Sequence, residues 1–286
     1  MSRELPEAPP PLPAPTTDAH THLLSTQDFS GLPVPEAIAR ARAVGVHRLV
    51  EVGCDVPSSR AAVEIARAHS AVIACVALHP NDAARAGADL PNQLDAIAAL
   101  VRAGGVRGIG ETGLDYYRTR DDQGKRLQRQ SFAAHLALAA EHDLAVVIHD
   151  RDAHADVLDV LDTEGVPRRF MMHCFSGDAD FARQCLDRGA WLSFPGTVTF
   201  KPNHALREAF DLTPDDRLLV ETDAPYLTPV PLRGRPNASY LLPLTVRFLA
   251  ERRGADLAGF CRLLDANASA LFGDWGACGD GGRGDG

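Results

Sequence analysis

His20 and His22, in the stretch Asp18-Ala19-His20-Thr21-His22, stand two residues apart in a segment of β-strand character. Strand alternation puts both imidazoles on one face, with alpha carbons roughly 7 Å apart at about 3.3 Å per residue. So placed, two imidazoles can lean onto one cation, since imidazole nitrogen is a common ligand for zinc and its neighbours. An H-x-H pair alone is a weak signal, but similar residues recur. His149 closes the apolar run LAVVIHD, and His173 stands near the end of RFMMHCF. Glu111 ends VRGIGE and Asp223 ends RLLVETD. An unpaired carboxylate after such runs would be buried at large cost, which a cation offsets directly. These histidines and acids exceed the three or four ligands of a single metal. They suit two metals sharing a bridging carboxylate, at the roughly 3.5–4 Å separation of hydrolytic pairs.

The elements that must bring these residues together are short β-branched runs alternating with Ala/Leu/Arg-rich helical stretches. The runs cover residues 16–22, 46–53, 72–79, 106–112, 144–150, 169–175, 190–196 and 217–223, with helical patterns such as 130–142 and 154–165 between them. Eight such repeats predict a (β/α)₈ barrel, a TIM barrel of the α/β class. A doubly wound open sheet is the alternative. The candidate ligands decide between them. They fall at the C-terminal ends of the first, fourth, fifth, sixth and eighth strands, and only a closed barrel brings first and last strand ends together.

Gly108, Gly110 and Gly113 have the spacing G-x-G-x-x-G of a dinucleotide-binding turn. That motif should open a helix at once and be followed by an acid about 20 positions on. Here the polar stretch LDYYRTRDDQGK follows, and residues 131–140 contain no acid. The small residues instead let backbone approach closely around Glu111. His79-Pro80 also points into the expected mouth, with His79 a candidate substrate contact. His47, His69, His135, His142, His154 and His204 lie in helical or edge contexts and read as ordinary surface or core residues.

A formal net charge of −9 argues against a broad basic surface for gripping duplex nucleic acid. It leaves room for nucleic acid held by metal ions and a few arginines. The six cysteines show no C-x-x-C pair and read as reduced thiols. Residues 1–15 carry six prolines and no apolar signal region, and residues 274–286 are Gly-rich. Both are expected to be disordered tails flanking a single barrel over 16–273. No apolar run is long enough for a membrane span, so a cytoplasmic protein is expected. Arg283-Gly284-Asp285, an adhesion-like tripeptide, reads as part of a solvated tail.

Taken together, these motifs resemble the TatD family of metal-dependent deoxyribonucleases, within the amidohydrolase superfamily. The matching segments are DAHTHL (18–23), HP (79–80), GETGLDYY (110–117), VVIHDRDA (146–153) and HCFSG (173–177), followed by FPGTVTFK (194–201), ETDAPYLTP (221–229) and RGRPN (233–237). They run in family order over residues 16–272. The resemblance implies two divalent metal ions, Zn, Mn or Mg. His20, His22 and Asp223 would hold the first, His149 and His173 the second, and Glu111 would bridge them.

The resemblance also implies a metal-dependent hydrolase cutting DNA phosphodiester bonds, a 3′–5′ exonuclease on single strands. A metal-activated water would attack phosphorus in line, with Glu111 and Asp223 as catalytic residues and Asp223 steering the proton. Arg151, Arg233, Lys201 and Arg235 are candidate phosphate contacts, and Tyr116 and Tyr117 are candidates for stacking on bases. The expected partner is DNA as substrate, with no membrane and no stable protein partner. An amide, ester or aminoacyl hydrolase on the same scaffold is the alternative. A non-catalytic nucleic-acid-binding protein with a vestigial site is a third possibility.

Overall fold

The computed structural model describes residues 4–273. Its strands are β1 (Thr16–Thr21), β2 (Val46–Val52), β3 (Val72–Val76), β4 (Val106–Asp115), β5 (Ala145–Arg151), β6 (Phe170–Met172), β7 (Trp191–Phe194) and β8 (Leu218–Val220). They pair in parallel in chain order from β1 to β8. The circle closes through Asp223 N–H to His20 O and His22 N–H to Ala224 O, both 3.0 Å. All eight expected strands are present and the fold is the TIM barrel.

The helices are α1 (Leu23–Ser30), α2 (Val34–Ala43), α3 (Val56–Ala68), α4 (Pro80–Ala86), α5 (Leu90–Arg102), α6 (Asp122–His142), α7 (His154–Glu164), α8 (Ala179–Asp187), α9 (His204–Leu212), α10 (Leu242–Arg253) and α11 (Leu257–Phe272). None among the described residues is long and apolar enough to cross a membrane.

Period-two alternation sorts each strand between two cores. In β5, Val146 and Ile148 join the layer between barrel and helices, whereas Ala145 and Val147 fill the interior. The interior series runs upward from Val147 to His149, from Met171 to His173, and from Leu219 through Glu221 to Asp223. The parity that buries an aliphatic residue at mid-barrel therefore aims a polar one at its C-terminal mouth, where TIM-barrel enzymes keep their sites.

The glycines of the dinucleotide-like spacing lie inside β4, which runs on to Asp115 before any helix begins. A Cβ at Gly110 would fall 2.4 Å from Val147 Cβ, and one at Gly113 (φ +127°) 2.1 Å from His149 O. Glycine here lets β4 press against β5 on both sides of Glu111.

The Pro-rich segment is not a disordered tail over residues 4–15. Leu12 N–H donates to Val44 O at 2.9 Å, and Leu12 and Ala14 are buried. Tyr240 Oη donates to Pro6 O, Arg235 to Glu4 O and Arg247 to Pro11 O. A proline run has no N–H to pair but keeps its carbonyls, and here side-chain donors on the barrel satisfy them. The expected Gly-rich tail at 274–286, with its Arg-Gly-Asp, lies outside the described residues.

Candidate metal centre

His20 and His22 rise from the end of β1, Glu111 from β4, His149 from β5, His173 from just past β6 and Asp223 from just past β8. Glu111 stands at the middle. Its Oε1 lies 2.6 Å from His149 Nδ1, 3.1 Å from His173 Nε2 and 3.4 Å from His79 Nε2. Its Oε2 faces the other way, 3.6 Å from His20 Nε2 and 3.8 Å from His22 Nε2. Asp223 Oδ1 completes that second group, 3.5 Å from His22 Nε2 and 3.8 Å from His20 Nε2. All six expected ligands thus meet at one spot, split into two sets by the two oxygens of one carboxylate. His173 also stacks on His20, ring centroids 3.7 Å apart, so the sets adjoin.

Neighbouring acceptors decide which imidazole nitrogens face inward. His22 Nδ1 is 2.8 Å from Val52 O, and a carbonyl only accepts, so Nδ1 carries the proton and Nε2 turns a lone pair to the centre. His173 Nδ1 donates to Glu221 Oε1 at 3.0 Å with the same result. His149 Nε2 points at Asp115 Oδ2, 3.5 Å away. A carboxylate behind a ligating histidine fixes its tautomer and raises its basicity.

His79 is arranged differently. As N-cap of α4 its Nδ1 accepts from Asn81 N–H at 3.1 Å, so the neutral ring bears its proton on Nε2 and donates it toward Glu111. It is a donor at the cluster's edge, not an inward lone pair.

The donor set fits divalent cations. The Nε2 atoms of His20 and His22 lie 3.2 Å apart, and His20 Nδ1 is buried with no hydrogen-bond partner among the described residues. Converging imidazole nitrogens and carboxylates of this kind suit zinc, manganese or iron better than magnesium. Burial pulls Glu111 upward, but the imidazoles of His173, His79 and His149 hold it well below the usual carboxylate range. Burial pulls His149 down, and Asp115 and Glu111 overturn this to bring it to about 9.

Four buried acids around the cluster escaped the sequence reading. Glu221 accepts from His173, from Cys174 N–H at 2.7 Å and from Ser193 Oγ at 2.6 Å. Asp115 accepts from Asn81 Nδ2 at 3.0 Å and Arg118 N–H at 2.8 Å. Asp18 clips β1 to the β8 end, accepting from Thr222 N–H at 2.9 Å and Thr222 Oγ1 at 2.6 Å. Glu51 accepts from Leu23 N–H at 2.7 Å, beside His22. Burial pushes both Asp18 and Glu51 up to about 7. The available signal was parity, since Glu221 is two residues before Asp223 on the same strand face.

Of the proposed substrate contacts, Arg151 is exposed and lies over the ring of Tyr117, 4.0 Å from its centroid, and Arg233 lies over Phe200 at 4.5 Å. The structure does not offer Tyr116 for stacking. Its hydroxyl donates to Asp156 at 2.7 Å and Lys125 covers its ring, whereas Tyr117 is 49% exposed. Arg235 is turned to the N-terminal segment. His135 and His154 are ordinary, bonded to Thr112 and Asp150.

Residues 17–273 match the family model described as TatD related DNase. An uncharacterized metal-dependent hydrolase TatD of Mycobacterium tuberculosis is 43% identical, covering 90% of this chain and 97% of its own. A protein of Klebsiella pneumoniae named 3′-5′ ssDNA/RNA exonuclease TatD is 37% identical, covering 83% and 91%. Among solved structures, the TatD homolog YJJV of Escherichia coli K12 superposes with a TM-score of 0.83 at 25% identity, covering 91% of this chain and 98% of that one.

Proposed function

This chain belongs to the TatD-related DNase family of metal-dependent hydrolases, and from that premise we propose that it cleaves phosphodiester bonds in single-stranded DNA from the 3′ end. The observation that carries the reading is Glu111, whose two oxygens face two separate histidine sets. A carboxylate so placed is built to bridge. His20, His22 and Asp223 would hold one cation, and His149 and His173 a second. When bound, such cations supply Lewis-acid polarisation of the phosphate and acidification of a water.

The chain's own residues do the rest. Asp223 keeps a side chain partly open to the mouth and accepts the proton given up by the attacking water. His79 presents Nε2–H at the mouth's edge, a donor for a phosphate oxygen or for Glu111. Arg151, over Tyr117, brings cationic charge to the strand. Relatives of Klebsiella pneumoniae and Citrobacter rodentium named as 3′-5′ ssDNA/RNA exonucleases support the substrate class and direction. A net charge of −9 suits an enzyme that processes strand ends and lets them go.

The test uses protein stripped of metal, reloaded with Zn, Mn or Mg, and given end-labelled single-stranded DNA beside dipeptides and aminoacyl esters. Mononucleotides should leave the 3′ end only with metal present, and Glu111→Ala should reduce the rate at least about 100-fold. Reloaded protein that leaves every oligonucleotide intact while splitting an amide or ester would overturn the reading.

A further inference from the structure

A cleft of about 250 Å³ opens at the mouth of the barrel on the β7, β8 and β1 side, lined by Phe29, Phe200, Pro225, Leu227 and Arg233. We propose that it is a base-stacking subsite, seating one unpaired nucleobase beside the bond held at the metal centre. The assignment rests on the nuclease reading above and gives it a substrate-positioning element.

Placement comes first. Phe29 belongs to α1, which begins at Leu23 directly after His22. Leu227 follows Asp223 by four positions, in a turn where Tyr226 N–H donates to Asp223 O at 2.9 Å. Phe200 lies in the loop after β7, just past its short helical turn. Two of the three walls therefore continue from strand ends that carry cluster residues.

Composition comes second. Phe29 is 46% exposed, an apolar ring facing water at the rim of a polar site. Arg233 lays its guanidinium 4.5 Å from the Phe200 centroid, and among the described residues no carboxylate pairs with it. Aromatic faces stack on any base with little sequence preference. A guanidinium stacked on a ring keeps its N–H edge free for a phosphate oxygen. An apolar peptide side chain would satisfy the rings and leave the arginine idle; a nucleotide uses both.

Rigidity comes third. A Cβ on Gly196 would fall 2.3 Å from Leu227 O, so the loops after β7 and β8 lie pressed together. Val230 N–H also donates to Thr199 Oγ1 across them at 2.9 Å. The cleft is thus built into the loops before any ligand arrives, which lowers the ordering cost of binding.

The experiment places 2-aminopurine at the 3′-terminal or the next position of a short oligodeoxynucleotide. Its 3′ linkages are phosphorothioates that resist cleavage, and it is titrated with metal-loaded enzyme. Wild type should quench the fluorophore at one of the two positions. Phe29→Ala and Arg233→Ala, both at exposed sites, should bind on the order of tenfold more weakly and lose the quench. An abasic residue at that position should erase the difference between wild type and Phe29→Ala. If both variants bind and quench like wild type while wild type still digests ordinary DNA, the subsite is wrong and the nuclease reading stands. If wild type neither binds nor digests any oligonucleotide, both fall.

Discussion

His173 Nδ1 and Glu221 Oε1 lie 3.0 Å apart, and this bond joins the end of β6 to the end of β8 behind the metal centre. Glu221 is fully buried, with its remaining capacity taken by Cys174 N–H and Ser193 Oγ. It therefore acts on His173 and not on substrate. Glu221→Gln keeps the size and an acceptor but removes the charge that raises imidazole basicity. Metal affinity, measured by chelator competition, should fall about 10- to 100-fold. Activity should recover when excess metal is supplied. A variant with unchanged affinity would show that the pair serves packing alone.

His135 gives a stability prediction with a definite sign. Its Nε2 accepts from Leu78 N–H and its Nδ1–H donates to Thr112 Oγ1 at 2.8 Å, in a site whose burial pushes the pKa down to about 3. The unfolded ring titrates near 6.5. Between these values the unfolded chain binds a proton that the folded chain refuses, so the contribution is complete above 6.5 and is lost as pH falls toward 3. From pH 7.5 to 5 the loss is about 2 kcal/mol. Asp18 and Glu51, held up near 7, push the opposite way. The test is therefore the difference between wild type and His135→Gln in urea midpoints at pH 7.5 and 5. Parallel shifts in the two proteins would contradict the assignment.

Gly110→Ala probes the pressure of β4 on β5. The added Cβ meets Val147 Cβ at 2.4 Å and Val147 O at 2.9 Å, and backbone cannot give way cheaply. A loss of about 1–3 kcal/mol in stability is expected by denaturant melts. Metal affinity should fall with it, because Glu111 is the next residue. Stability like that of wild type would mean the strands have room to part.

The Pro-rich segment should contribute measurably to stability. Tyr240→Phe removes only the hydroxyl that donates to Pro6 O at 2.7 Å, in a buried setting. A loss of about 0.5–1.5 kcal/mol is expected, together with faster proteolysis within residues 4–11. Unchanged melting and unchanged nicking would argue that the segment merely rests on the barrel.

Much of this architecture could be read from residue order, and the exceptions share a cause. Strands declare themselves by apolar runs, and a polar residue closing such a run has to be paid for by a partner, so Glu111, His149 and Asp223 stood out. Glu221 and Asp115 did not, because their partners are Ser193, Cys174 and Asn81, brought close only by the closed barrel. Tyr116 and Tyr117 are adjacent and alike in sequence. Only Asp156 and Lys125, from α7 and α6, tie down Tyr116 while Tyr117 stays 49% exposed. Composition misjudged residues 4–15 for a related reason. Proline content measures what a segment cannot do for itself, and here the donors come from Arg235, Tyr240 and Arg247.

The seam of the barrel carries a consequence for biosynthesis. His20 O, His22 N, Asp223 N and Ala224 O make the bonds that join the first strand to the last, and the same residues bring two imidazoles to a carboxylate. A nascent chain with β8 still inside the ribosome has five of its six expected ligands but lacks Asp223 and has no seam. It should pass through synthesis as an inert polypeptide, gaining hydrolytic competence in a single late step when the circle shuts.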